Sequence, residues 1–333
     1  MFTGFAVNRL PGNLNDMLPE LRSSSIVSSA TRLLVLLMLT CEWAYAAEPP
    51  ITAIAFSSDG KSVVAVSQSG LQEFNWPQLE PQRIIGTSAA NLHGVVFSPN
   101  GTRIAVAGGN PAEEGIVEIF SWPKGELQTR ISGHDDSVRS VVWLDDSRIV
   151  TSSIDRQIKL WSLDNKLMSR TFRGHSRSVT ASCVLKGGKT LVSTGVDQTV
   201  RVWDISSAKL IRSLSQHTKP IHSVVRRPQS GGLPMVATAS ADRSIRFWQP
   251  TIGRMVRYIR LESEPLNIAW LDKGTKIAAV CVDGRVRIID ADEVKVLQSI
   301  SAIDGLAYSI AVHPNDGSLA VGGTNGQIRR IVP

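Results

Sequence analysis

A chain of 333 residues with 42% hydrophobic residues can bury a sizeable core and is too apolar for an intrinsically disordered protein. Lys and Arg number 36 against 29 Asp and Glu, a net charge of +7. No long basic run or aromatic-interleaved basic stripe accompanies that charge, which favours a solvated surface over a nucleic-acid interface, and three cysteines are too few for a disulfide scaffold.

The first 46 residues read as a targeting segment. Arg32 precedes the apolar run Leu33–Leu39, and Ala44-Tyr45-Ala46 forms a small-x-small site. This order predicts a secretory signal peptide over 1–46, cleaved after Ala46, and hence an exported protein, periplasmic or extracellular. Met17 offers a later start that gives the signal a more usual length. The apolar run is far shorter than the roughly 20 residues that cross a bilayer, so no transmembrane anchor is expected. Cleavage leaves Cys183 and Cys281, in different structural units, as expected buried free thiols.

From residue 47 onward one unit repeats. Its first strand is predicted at Ile51–Phe56, Leu92–Phe97, Val138–Trp143, Val179–Val184, Ile221–Arg226, Pro265–Trp270 and Ala307–Val312. These segments alternate with period two, the pattern of strands. One column is nearly all small (Ala53, Gly94, Ser140, Ala181, Ser223, Asn267, Ser309), which suits strands crowded around a central axis. Tryptophans recur with the unit, at Trp76, Trp122, Trp161, Trp203 and Trp248, and Ile289 holds the sixth place. The step is about 40–45 residues. Asp155, Asp197 and Asp242 each stand six residues before a tryptophan, with Asp283 before Ile289. Thr151, Ser193 and Thr238 stand four before the first three of those aspartates, and His134, His175 and His217 open the same three units.

These marks resemble those of the WD40 family. The resemblance spans residues 50–333 and implies an all-β, seven-bladed propeller over 47–333. It also implies that His, Ser or Thr, Asp and Trp of one unit form a buried hydrogen-bonded chain, complete here in blades three, four and five. Such a chain satisfies the polar ends of buried Trp and His. More loosely, the chain is similar to exported bacterial-type WD40 proteins.

Blade seven supplies three predicted strands, Ala307–Val312, Leu319–Gly322 and Gln327–Ile331, before the sequence stops at Pro333. In related propellers the N-terminal segment adds the missing outer strand, which here falls near residues 39–47. Cleavage and ring closure therefore compete for the same residues, and the charge–apolar–small order favours cleavage. In blade two, Asn110-Pro111-Ala112-Glu113-Glu114-Gly115 is read as a loop interrupting a hairpin. In blade five, Arg226 occupies a column that elsewhere holds Phe56, Phe97, Trp143 or Trp270, and is read as reaching solvent along its aliphatic stem.

No catalytic constellation, haem motif, nucleophile elbow or phosphate loop is present, so catalytic, cofactor and metal sites are all expected to be none. The positions left free by the repeat carry the functional expectation. The column one residue into each inner strand reads Thr52, His93, Arg139, Thr180, His222, Leu266 and Tyr308. The resemblance places it around the mouth of the central channel, where partners dock. Donors beside an aromatic platform suit a binding hot spot. The expectation is a rigid, non-enzymatic platform for protein partners, with nucleic acid not expected and the oligomeric state open. The alternative is a ligand-binding or enzymatic propeller using the channel mouth. The ring contains no carboxylate, which argues against metal-dependent hydrolysis.

Overall fold

A computed structural model of the chain describes residues 48–165, 167–228 and 232–333. The expected signal peptide, and the segment 39–47 that would close the ring, lie outside the described residues. Within them, the chain forms seven antiparallel sheets in sequence order, the first six four-stranded and the last three-stranded. No helix among them is long and apolar enough to cross a membrane.

The inner strands are Ala53–Phe56, Asn91–Phe97, Val138–Asp145, Val179–Val184, Ile221–Arg226, Pro265–Leu271 and Ala307–Val312, within a residue or two of the predicted bounds. Their alternation decides the packing. Ile54, Val141, Ser182, Val224, Ile268 and Ile310 are buried between neighbouring sheets, and the small-residue column lies against the next blade, where a Cβ on Gly94 would meet Arg139 O at 3.6 Å and Ser223 Oγ donates to Asn267 Oδ1 at 3.0 Å. The first and last blades meet directly. Ile51 donates its backbone N–H to Gly323 O at 3.0 Å, and Ile51, Ile54 and Val63 share one apolar cluster with Ala320 of blade seven. Blade seven contributes Ala307–Val312, Leu319–Gly323 and Ile328–Ile331.

Two readings of the sequence are corrected. In blades three to five the repeat tryptophan faces the second strand: Ile149 pairs with Trp161, Leu191 with Trp203 and Val236 with Trp248. The same register puts Phe74 opposite Val63 and Phe120 opposite Ile104. Trp76 and Trp122 therefore lie two residues past the repeat position, in the turn toward the outer strand. They pack edge-on against Phe56 and Phe97, with ring centroids 4.8 and 5.3 Å apart. The sequence misleads because both blades read Phe-x-Trp-Pro, and the larger ring draws attention from the correctly placed one. The second correction concerns Asn110–Gly115, which does not interrupt its hairpin. The strands Arg103–Asn110 and Glu114–Ser121 stay paired out to Asn110 and Glu114, and the tip is held by Asp136, which accepts from Ala112 N at 3.0 Å.

Cys183 and Cys281 are free and buried. Burial pushes their thiols up to about 12 and about 11, so neither is a ready nucleophile. Arg226 is exposed.

Candidate functional site

Seven inner strands converge on one axis, and the residue after each strand's opening apolar position faces it. Thr52, His93, Arg139, Thr180, His222, Leu266 and Tyr308 consequently all line a single open channel of about 590 Å³. Two of them are structural seams. Thr52 Oγ1 donates to Leu92 O at 2.7 Å and Thr180 Oγ1 to Ile221 O at 2.6 Å, each reaching the next blade. Their hydroxyl protons are thus already used.

The polar side chains that remain are arranged in pairs. Arg139 Nη1 lies 3.2 Å from His93 Nδ1. Burial, aided by the Arg139 charge, lowers the His93 imidazole to about 4, so it is neutral at pH 7. A neutral ring accepts from Arg139 through Nδ1 and keeps its proton on Nε2. Desolvation lowers the Arg139 pKa as well, although a guanidinium remains charged at neutral pH. Across the ring, His222 Nε2 meets Glu264 Oε1 at 2.7 Å. That carboxylate, two residues before Leu266, is missing from the column read off the sequence and is not among the channel-lining residues, but it engages one of them, His222. Leu266 and Tyr308, in blades six and seven, are half-buried. Among the described residues no group of three or more His, Cys, Asp or Glu side chains is placed to hold a metal.

A second set of polar residues sits between blades. In blade three His134 Nδ1 bonds Asp155 Oδ2 at 2.7 Å, His134 Nε2 lies 2.7 Å from Thr151 Oγ1, and Trp161 Nε1 donates to the same hydroxyl at 2.8 Å. Blade four repeats this with His175, Asp197, Ser193 and Trp203 at 2.8–2.9 Å. Blade five repeats it with His217, Asp242, Thr238 and Trp248 at 2.8–2.9 Å. The histidines, hydroxyl residues and tryptophans are buried, so these residues present nothing to a ligand. Burial raises the three aspartate carboxyls, but hydrogen bonds and charge from the paired histidines outweigh it and leave each lowered.

The same places in the other blades are filled differently. In blade six they hold Leu261, Ala279 and Ile289, all within one apolar cluster, and Asp283 turns to Arg287 at 2.7 Å. Blade two has buried Glu118, which accepts from Ser88 Oγ at 2.7 Å and from Ser88 N at 3.0 Å. Ser88 stands where the histidine would be, four residues before Leu92.

Sequence reasoning also missed a set of straps on the outer strands. Arg83, Arg170, Arg212 and Arg257 occupy one register position, opposite Glu73, Leu160, Val202 and Phe247. Each donates to a backbone carbonyl in the outer turn of the next blade: Arg83 to Lys124 O at 2.9 Å, Arg170 to Ser206 O at 3.2 Å, Arg212 to Thr251 O at 3.3 Å and Arg257 to Asp292 O at 2.6 Å. The steps between these arginines of 87, 42 and 45 residues, the first spanning two blades, were the available signal. Part of the basic excess is therefore engaged in contacts between blades.

The family described as "WD domain, G-beta repeat" matches residues 125–162, 167–204 and 208–249, the stretches that carry the three complete polar chains. Among similar proteins, "U3 small nucleolar RNA-associated protein 15 homolog" of Xenopus tropicalis is 24% identical over 281 residues, covering 83% of this chain and 53% of its own length. "THO complex subunit 3" of Arabidopsis thaliana is 34% identical over 186 residues, covering 56% of this chain and 45% of its own. "WD repeat-containing protein 1" of Gallus gallus is 25% identical, covering 71% and 45%. The chain spans about half the length of the curated relatives it matches. Three of the seven blades thus match the WD domain, G-beta repeat family in sequence, and all seven share one propeller architecture.

Proposed function

We propose that this propeller is an exported, non-enzymatic platform that binds protein partners at the mouth of its central channel. One observation carries the binding part: side chains from all seven blades line one open channel of about 590 Å³ on a scaffold stiffened by buried polar chains. Rigid scaffolds commonly carry function on such rims. The mixture at the mouth supports recognition, with a guanidinium, two imidazoles, an aromatic ring and an aliphatic side chain. Two relatives whose names describe an RNA-associated protein and a complex subunit support binding over catalysis. The export part rests on the order Arg32, Leu33–Leu39, Ala44-Tyr45-Ala46.

The test is cross-linked capture from native cells. Wild type runs beside a variant with His93, Arg139, His222 and Tyr308 changed to Ala and shown to remain folded. A protein captured by wild type and lost from the variant is the expected result. Loss of an RNA instead would replace the protein partner with a nucleic acid, and capture of the same proteins by both forms would move the working surface elsewhere. N-terminal sequencing of the mature protein checks export, since retention of Leu39–Ala46 would remove it.

A further inference from the structure

Arg139, exposed on the channel wall, differs in its partners from the more enclosed Arg201, Arg246 and Arg287. Arg201, Arg246 and Arg287 each face an aspartate of their own blade, at 3.8, 3.6 and 2.7 Å. Arg139 faces none. Among the described residues its hydrogen-bonding side-chain partner is His93 Nδ1, a neutral acceptor. The neighbouring hydroxyls of Thr52 and Thr180 are committed to backbone carbonyls, and His222 is engaged by Glu264. Its guanidinium is exposed to the channel, and most of its N–H donors have no protein acceptor, so they are open to a ligand.

The fork of a guanidinium matches a carboxylate, which it binds through two parallel hydrogen bonds. The charge count points the same way. One cation balances a carboxylate, whereas a phosphate dianion calls for a second; of the channel's two imidazoles, His93 is neutral and His222 already has a carboxylate beside it. Leu266 and Tyr308 lie in blades six and seven, on the far side of the ring from blade three, and give the apolar part of an entering segment a place to pack. We propose that Arg139 is the anchor for a carboxylate carried by a peptide segment that enters the central channel, from an acidic side chain or from a chain's C-terminus. This deepens the platform reading and rests on it. His93 acts as a positioning residue, holding one edge of the guanidinium so that the other edge faces the channel.

The test uses the full chain on an array of random heptapeptides in three arms. One arm has free C-termini and no Asp or Glu. A second has amidated C-termini and one Asp or Glu. The third has amidated C-termini and no acid at all. The expected result is binding in at least one acidic arm, weakened at least tenfold by Arg139→Gln and unchanged by Arg285→Gln on the third strand of blade six. The arm that binds identifies the source of the carboxylate. Arg139→Lys, which keeps the charge and loses the fork, is expected to fall between the two, and a thermal melt of each variant separates lost binding from lost folding. Equal binding in the acid-free arm, binding indifferent to Arg139→Gln, or no binding in any arm would overturn the proposal. Acid-free binding that is lost in Tyr308→Ala would remove the carboxylate while leaving the platform standing. Failure of the platform itself reads out separately, as unchanged capture in the four-residue variant.

Discussion

Blades five and six are neighbours that solve one packing problem with opposite chemistry. In blade five, Thr238 ties His217 to Trp248, and Asp242 holds the far side of the imidazole. In blade six Leu261, Ala279 and Ile289 fill the same places with hydrocarbon, and Asp283 is left to Arg287. Both are satisfied. A buried network with every member partnered and a well-packed apolar substitute have similar net worth, because a hydrogen bond made on folding replaces one lost to water. The difference appears when a single member is removed. The polar blade then holds an orphan, and the apolar blade holds only a gap or an extra hydroxyl.

Asp197→Ala gives the largest expected effect. It strips His175 of its charged partner and leaves Ser176 N, which donates to Asp197 Oδ2 at 3.0 Å, without an acceptor. A loss of about 3–5 kcal/mol in urea unfolding is expected for a broken buried pair. A loss below about 1 kcal/mol would mean that the polar chain matters no more than its apolar counterpart.

Hydroxyl exchange between the two blades sharpens the contrast. Thr238→Val orphans both His217 Nε2 and Trp248 Nε1 and is expected to cost about 2–3 kcal/mol. Ala279→Ser adds a hydroxyl where neither Leu261 nor Ile289 has a polar atom to meet it, with an expected cost of about 1 kcal/mol. Equal tolerance of the two changes would erase the distinction between the blades.

The straps come lower. Arg212→Ala removes one bond to Thr251 O from an exposed side chain, and a change below about 1 kcal/mol is expected.

Acid provides a graded comparison. His93 and His217 both have lowered pKa values, His93 to about 4, in each case chiefly because burial disfavours the charged ring. The unfolded chain takes up these protons first, near the ordinary value of 6.5, so stability is expected to fall as pH drops from there toward about 4. Asp155, Asp197 and Asp242 extend the trend. Their contribution is present above the ordinary carboxyl value of 3.8 and is lost as pH falls through their lowered values. Urea midpoints from pH 8 to pH 3 check the sign, and a midpoint that rises on acidification would contradict it.

The architecture was legible in the sequence because period-two alternation and a 40–45-residue repeat are written in side-chain type. The inner strands needed nothing more. The polar chains of blades three to five were legible for the same reason, since His, hydroxyl, Asp and Trp fall at fixed spacings. Where blades depart from that spacing no pattern marks the partners. Ser88 and Glu118 are 30 residues apart and meet only because strands of one blade are folded together. Glu264 was hidden because a strand column samples one residue per strand, while a lining side chain such as His222 can also be met from a loop. Trp76 and Trp122 were misplaced because a tryptophan is conspicuous wherever it stands, and only the strand pairing shows which ring is in register.

The arginine straps have a consequence for how such a ring tolerates change. Each joins a side chain of one blade to a main-chain carbonyl of the next. The accepting half is therefore present whatever residue occupies the turn, and no matching substitution is needed to create or remove a strap. Two blades lack one already, with Thr129 and Gln298 at the same register position. Unlike the four-member polar chains, which work only as sets, these ties can be gained or dropped one blade at a time, so the outer circumference can be retuned without disturbing the channel.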